Sequence, residues 1–353
     1  MMSSILPRNP FRTGAVPGIP SLILYILGEN ILNCQRNMSK GLTFEAILDL
    51  SRETGLTEVY PASSEGIPGL DPHRHPSFLI THLPYTVPTP RPSPLPSARI
   101  APFACANHYR ELSHTLRRLV SLIGQRTGHP KSAFRVFSNS PLPERAMAHR
   151  AGLGVPGRNG LIIHPVYGSY IALGGILLPF PLDIPPPPPP PPPLSPCGPC
   201  TACLTACPTH ALPGDGTLRK DRCIQYWAGT HGIVPDPVKA AWGPTLYGCP
   251  HCQAACPYNR RPAPGRRPVL RGRIGPTLPL TLLLGTPASL LKALLRSSAL
   301  QLGWLSPLTL QRNALLAAAA TGARPLFHYV EPYLTHPDPV LRDAARWALH
   351  RLS

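Results

Sequence analysis

Eight of the ten cysteines fall between Cys197 and Cys256, and they occur in short runs that suit metal binding better than a disulfide framework. The first run is Cys197-x2-Cys200-x2-Cys203-x3-Cys207-Pro208. The second is Cys249-x2-Cys252-x3-Cys256-Pro257, with Cys223 between them. Thiolates are soft donors that suit iron–sulfur clusters and zinc alike. Two zinc sites would need CxxC pairs, and that alternative stays open at this point. Three cysteines at x2-x2 spacing cover three corners of one cubane, and a fourth before proline reaches the neighbouring cluster. That rule assigns Cys197, Cys200, Cys203 and Cys256 to one [4Fe–4S] cluster, and Cys207, Cys223, Cys249 and Cys252 to a second. The chemistry expected of such a pair is electron transfer. Cys34 and Cys105 stand alone and read as buried or incidental thiols. His210 and His251 lie near the runs and read as solvated or hydrogen-bonded groups, not ligands.

Several elements must position these runs. Phe44–Thr54 has helical periodicity, with Phe44, Ile47, Leu48 and Leu50 on or near one face. Ala106–Ile123 repeats Leu112, Leu116, Leu119 and Ile123 at the same period, and Glu144–Ala151 reads as a shorter helix. Strands are expected at Leu56–Tyr60, Ser77–His82, Arg135–Ser138 and Gly160–Pro165, with a proline-rich loop over Thr86–Pro96. Alternating strands and helices predict an α/β domain over 38–184. Beyond Leu278 the pattern is helical. One helix opens around Arg312–Leu315, and the Pro/Asp turn at His336–Arg342 leads into another ending at Leu349. Two helices joined by such a turn resemble a HEAT-type repeat.

The intervening segments read as linkers. Pro185–Pro193 is nine consecutive prolines, an extended spacer rising about 3 Å per residue or a docking peptide for a proline-reading module. The layout is therefore an extension or mis-called start at 1–37, an α/β domain at 38–184 and a polyproline linker at 185–196. A double-cluster domain at 197–260, a basic linker at 261–276 and a helical segment at 277–353 follow. Met38 is a plausible alternative start. Lys and Arg outnumber Asp and Glu by 34 to 16, a net +18 that favours polyanions such as nucleic acid. Six arginines between Arg260 and Arg273 form the densest positive stretch. No run is long and apolar enough for a membrane span, and Pro20–Leu32 lacks a signal-peptide pattern, so the expected location is the cytoplasm.

The region around the cysteines resembles the epoxyqueuosine reductase family. The likeness lies in Arg150-Ala151-Gly152-Leu153-Gly154 and in Gly157-Arg158-Asn159-Gly160-Leu161-Ile162-Ile163-His164-Pro165. It continues through Tyr167-Gly168-Ser169-Tyr170, Leu173-Gly174-Gly175-Ile176-Leu177, Arg222-Cys223-Ile224-Gln225-Tyr226-Trp227 and Tyr247-Gly248-Cys249. It extends over roughly 44–350 and is densest from 134 to 259.

The resemblance implies a fold with an α/β N-terminal domain, a two-cluster ferredoxin-like domain and a C-terminal α-helical HEAT-like segment. It implies a cobalamin-dependent oxidoreductase that reduces the epoxide of a tRNA base at the end of queuosine biosynthesis. The cobalamin would sit base-off beside the first cluster, with the second feeding it electrons. Its further implications are a flavodoxin- or ferredoxin-type donor, tRNA against the arginines and the helical C-terminus, and a monomer. Asn159, His164 and Gln225 would border the cofactor, though each is equally readable as a packing or turn residue.

One departure marks this chain as a divergent member. The family's acidic proton donor, in a Val-Asp-Ser/Thr-Ala-Pro segment, aligns with Ser138 or, with a one-residue slip, Asn139. Neither can donate a proton as a carboxylic acid does. Glu144 aligns with a different family glutamate. Two other readings therefore stand beside the reductase: an electron carrier without corrinoid, and a tRNA-binding protein whose clusters are purely structural.

Overall fold

The computed structural model describes residues 42–85, 93–182, 190–260, 274–296 and 298–353. The expectations for 1–37, Cys34, 86–92, prolines 185–189 and Arg261 through Arg273 lie outside those residues.

Helix α1 (Phe44–Thr54) has the bounds its periodicity predicts, because both ends are capped. The Thr43 side chain accepts the Ala46 N–H at 3.3 Å, and Gly55 closes the helix at φ 90°. Strands β1 (Tyr60–Ser63), β2 (Ser77–Pro84) and β3 (Ser97–Ile100) follow, then α2 (His108–Thr127) and β4 (Arg135–Phe137). Next come α3 (Glu144–Arg150), the two-residue strands β5 (Val155–Pro156) and β6 (Ile162–Ile163), and β7 (Ile171–Leu178). The strand expected at Leu56–Tyr60 begins only at Tyr60, where pairing with Ile80 starts. The one expected over Gly160–Pro165 shrinks to Ile162–Ile163.

The main sheet runs β1-β2-β7-β4, and every neighbouring pair is antiparallel. Strands and helices alternate along the chain as an α/β pattern requires, but the antiparallel pairing makes this layer α+β. Six residues of β2, Ser77–His82, are buried, because α2 and α3 cover the sheet. Strand β7 was not anticipated, since Gly174 and Gly175 interrupt its pattern. Close approach requires them: a Cβ on Gly175 would lie 2.1 Å from the Leu79 carbonyl oxygen.

The cluster region is built of short pieces: α4 (Ala202–Thr205), α5 (Ile224–Gly229), α6 (Asp236–Ala240), β8 (Thr245–Tyr247) and α7 (His251–Ala254). The C-terminal part holds β9 (Thr277–Pro279), α8 (Leu280–Gly285), α9 (Ala288–Leu294), α10 (Pro307–Thr321), α11 (Phe327–Val330) and α12 (Pro339–Leu352). A second sheet places β3 between β8, parallel, and β9, antiparallel. One strand from each expected domain thus shares a single small sheet. Its core joins Ala98 and Ile100 to Trp242, Leu246, Leu283 and Leu315, and residues 43–353 pack as one unit. The composition changes that mark boundaries along the sequence are not boundaries of packing here.

Helix α10 starts five residues before Arg312, because the Ser306 side chain accepts the Thr309 N–H at 3.0 Å and Pro307 fills the first turn. Thr309 through Ala319 are all buried, so this is a central helix and not an amphipathic one.

Candidate metal centre and adjoining cavity

Local turns gather the cysteines. The Cys200 N–H donates to the Cys197 carbonyl at 2.9 Å, and the single turn of α4 carries Cys203. Cys223 precedes α5, and its carbonyl accepts the Trp227 N–H at 3.1 Å. Helix α7 carries Cys252, and the Cys256 N–H donates to the Gln253 carbonyl at 3.2 Å.

Two cavities result. The first, about 300 Å³, is lined by Cys197, Cys200, Cys203 and Cys256, with Arg158, Asn159 and Tyr258. The second, about 310 Å³, is lined by Cys207, Cys223, Cys249 and Cys252, with Tyr85, Tyr109, Asn159 and Gln225. None of the nine described cysteines is in a disulfide.

The thiols are hard to ionise unaided. Burial pushes Cys252 up to about 12 and Cys249 up to about 11, and raises Cys203, Cys223 and Cys256. Mutual repulsion within each set adds to burial, and Cys252 also feels Cys203 of the other set, so the two sites adjoin. A metal that replaces the thiol protons relieves both penalties. Each set holds four sulfur donors, and polar groups already point at some of them. The Arg158 N–H donates to Cys197 Sγ at 3.4 Å and the Ala211 N–H to Cys207 Sγ at 3.3 Å. His251 Nδ1 lies 3.1 Å from Cys249 Sγ, a hydrogen bond to a cysteine and not a fifth donor.

Asn159 lies on both cavities, where its Oδ1 also accepts the Leu161 N–H at 3.2 Å. Gln225 lines the second, and its Oε1 is buried with no hydrogen-bond partner among the described residues. His164 is placed differently. It lines neither cavity. The tight bridge between His164 and Gly168 turns the ring toward Glu58, 3.2 Å from Nε2, and against His82, with ring centroids 4.5 Å apart.

Glu58, His82 and His164 offer three ligand atoms within 4.8 Å of one another. A cation does not suit them, because His164 Nδ1 already accepts the Val166 and Tyr167 N–H groups at 3.1 and 3.3 Å. The Nε2 facing Glu58 therefore carries the proton. Burial opposes ionisation of Glu58, but the Tyr60 hydroxyl at 2.6 Å and the two imidazoles outweigh it and hold the carboxylate below its usual range. Burial pushes His82 down to about 4 and lowers His164, so both rings are neutral at pH 7.

A third cavity, about 460 Å³, shares Phe103, Tyr109 and Gln225 with the second and is also lined by Asn139, Ser140, Tyr247 and the exposed Trp304. Ser138, one of the two positions that align with the family acid, does not line it. The Ser138 hydroxyl donates to the Leu173 carbonyl at 2.7 Å. Asn139 lines it, at φ 52°. Glu144 is occupied in accepting the Asn139 N–H, the Ser140 N–H and the Ser140 hydroxyl at 3.1, 2.7 and 2.8 Å. Tyr85, Tyr109 and Trp304 join the site without any sequence motif to announce them.

A 4Fe-4S double cluster binding domain matches residues 196–259. The epoxyqueuosine reductase of Bacillus subtilis is 35% identical over 223 residues, covering 60% of this chain and 53% of that protein. That of Vibrio cholerae is 37% identical over 166 residues, covering 46% and 43%. Over these stretches the chain is similar to the epoxyqueuosine reductases. It spans about half the length of the curated relatives it matches. An epoxyqueuosine reductase structure from Streptococcus thermophilus shares the fold, with TM-score 0.74 and 24% identity over 87% of this chain and 89% of that one. One from Bacillus subtilis has TM-score 0.70 and 26% identity over 88% and 90%. The epoxyqueuosine reductase fold, with its helical C-terminus, is therefore present, and the eight cysteines belong to a domain for two [4Fe–4S] clusters. Among the described residues no helix is long and apolar enough to cross a membrane.

Proposed function

We propose that this chain is an iron–sulfur oxidoreductase of the epoxyqueuosine reductase type, working with cobalamin on a tRNA base. The observation that carries the reading is the division of eight thiols around two adjoining cavities, the second of which continues past Gln225 into open space. One cluster is held by Cys197, Cys200, Cys203 and Cys256, the other by Cys207, Cys223, Cys249 and Cys252.

The donor set also fits a corrinoid. Gln225 Oε1 is a buried acceptor lacking a donor, which an amide N–H on the corrin periphery would supply, and Asn159 stands between the clusters. Bound cobalamin supplies two-electron reduction at cobalt. Tyr109, Phe103 and Ile171 wall the second cavity with apolar surface, which excludes water from the reacting centre. Reducing an epoxide to an alkene takes two electrons and two protons and releases water. The open space adjoins the second cluster, so we reverse the order expected from the resemblance. Electrons enter at the first cluster, beside the exposed Gly198–Pro199 loop, from a flavodoxin- or ferredoxin-type donor and pass to the second. The basic surface and the helical C-terminus, read as HEAT-like, would face tRNA phosphates. We read the protein as a cytoplasmic monomer.

Anaerobic expression with cobalamin, followed by iron, sulfide and cobalt analysis and EPR of the reduced form, tests this. Eight irons and one cobalt per chain are expected. Eight irons without cobalt would leave an electron carrier. Zinc without sulfide would overturn the cluster assignment. The missing carboxylic acid at Ser138 and Asn139 favours a second version of the reading, in which the same cofactors serve a related substrate.

A further inference from the structure

We infer that Arg158 sets the reduction potential of the cluster held by Cys197, Cys200, Cys203 and Cys256, an inference resting on the two-cluster reading above. Arg158 reaches that site in two ways. Its backbone N–H donates to Cys197 Sγ at 3.4 Å, and its guanidinium binds the carbonyl of Gly198, the residue after Cys197, within the lining that Arg158 shares with all four cysteines. The guanidinium is fixed in place: Nη1 donates to the Gly214 carbonyl at 2.9 Å and Nη2 to the Gly198 carbonyl at 2.8 Å. Nε is buried and has no hydrogen-bond partner among the described residues.

Its charge is not neutralised. Ion pairs among the described residues involve Arg52, Lys239 and three histidines, and none includes Arg158. The anion facing it is the cluster itself, which gains one negative charge on reduction. A fixed cation at the cavity wall therefore favours the reduced form and raises the potential. The second cavity has no Lys or Arg in its lining, and the cation felt there is Arg99, which acts on His251 beside Cys249 and does not itself line the cavity. Arg158 thus separates two clusters of identical ligand chemistry. The first electron delivered rests on the first cluster and the next fills the second, so the pair can supply two electrons to one substrate.

The test is a redox titration, monitored by EPR, of the full chain loaded anaerobically. Parent, Arg158→Lys, Arg158→Gln and Arg158→Met are compared, each with its iron count. Removing the charge is expected to shift the reduction equilibrium of one cluster at least about tenfold, or 59 mV for one electron. The other cluster should stay in place, and Arg158→Lys should recover most of the shift. Neutral variants with eight irons and unchanged potentials would overturn the inference, as would equal shifts in both clusters. Loss of four irons from both neutral variants, with all eight kept by Arg158→Lys, would assign Arg158 to cluster assembly and overturn it too. A parent chain that never reaches eight irons would instead remove the two-cluster reading, and the inference with it.

Discussion

Arg312 is 1% exposed, in the middle of α10, and no carboxylate pairs with it among the described residues. Its guanidinium donates to the Thr230 and Gly232 carbonyls at 2.8 Å each, to the Trp227 carbonyl, and to Asn313 Oδ1. Trp227 lies in the last turn of α5, the helix that Cys223 opens, so Arg312 supplies donors that the helix end lacks. Arg312→Met would remove three charge-assisted bonds to carbonyls, at roughly 1.5–3 kcal/mol each. It would also remove the packing of the guanidinium on Trp242, 5.8 Å from the ring centroid and about 1 kcal/mol.

Against this stands relief from burying a cation. Burial brings Arg312 down to about 10 from its usual value, and a shift of that size corresponds to roughly 3 kcal/mol. The balance is a net loss of about 2.5–7 kcal/mol, or on the order of 10 °C in melting temperature for a chain this long. Calorimetry of the cluster-loaded protein under anaerobic conditions measures it. Arg312→Lys should recover less than half, because one ammonium cannot span three carbonyls. Buried charges in other proteins have been replaced by apolar residues at no cost. A methionine variant within about 1 kcal/mol of the parent would place this arginine among them and refute the reasoning.

Three further outcomes are expected. Cys256→Ala and Cys223→Ala should each leave about four irons per chain, with EPR showing a different surviving cluster in each; identical spectra would contradict the division of ligands. Asn139→Asp places a carboxyl on the third cavity at a φ that Asp tolerates, and should raise epoxyqueuosine turnover about 100-fold. Ser138→Asp, set against the Leu173 carbonyl, should not, and equal rates in both variants would sink that argument. His108 stacks on Tyr85, and burial pushes it down to about 4, with neither ring nitrogen partnered among the described residues. The unfolded chain takes up this proton near 6.5 and the folded chain only near 4, so the stability involved is intact above pH 6.5 and lost as pH falls. Urea titrations at pH 7.5 and 5.5 should show a loss smaller by about 1.4 kcal/mol in His108→Phe than in the parent. Equal losses would count against the assignment.

What was legible in the chain follows from how local each constraint is. The cysteine runs were legible because Cys197, Cys200 and Cys203, like Cys249 and Cys252, lie within a few residues of one another, and a double-cluster domain matches residues 196–259. The helix at Phe44–Thr54 was equally legible, since its face and both caps lie within fourteen residues. His164 was not. A histidine in a glycine-rich element can face either way, and only the bridge to Gly168 and the carboxylate of Glu58, about a hundred residues earlier, decide that its ring meets Glu58. Long-range pairing left no signal at all: nothing in Ser97–Ile100 announces that it will bind strands from near residues 245 and 277. The same limit hid Arg312. A helix buried on all sides lacks the one-sided stripe that periodicity detects, and a lone arginine within it resembles a solvated charge until Trp227, Thr230 and Gly232 are seen to surround it. Arg312, which ties α5 and the loop after it to the helical C-terminus, is therefore a residue that sequence patterns describe least.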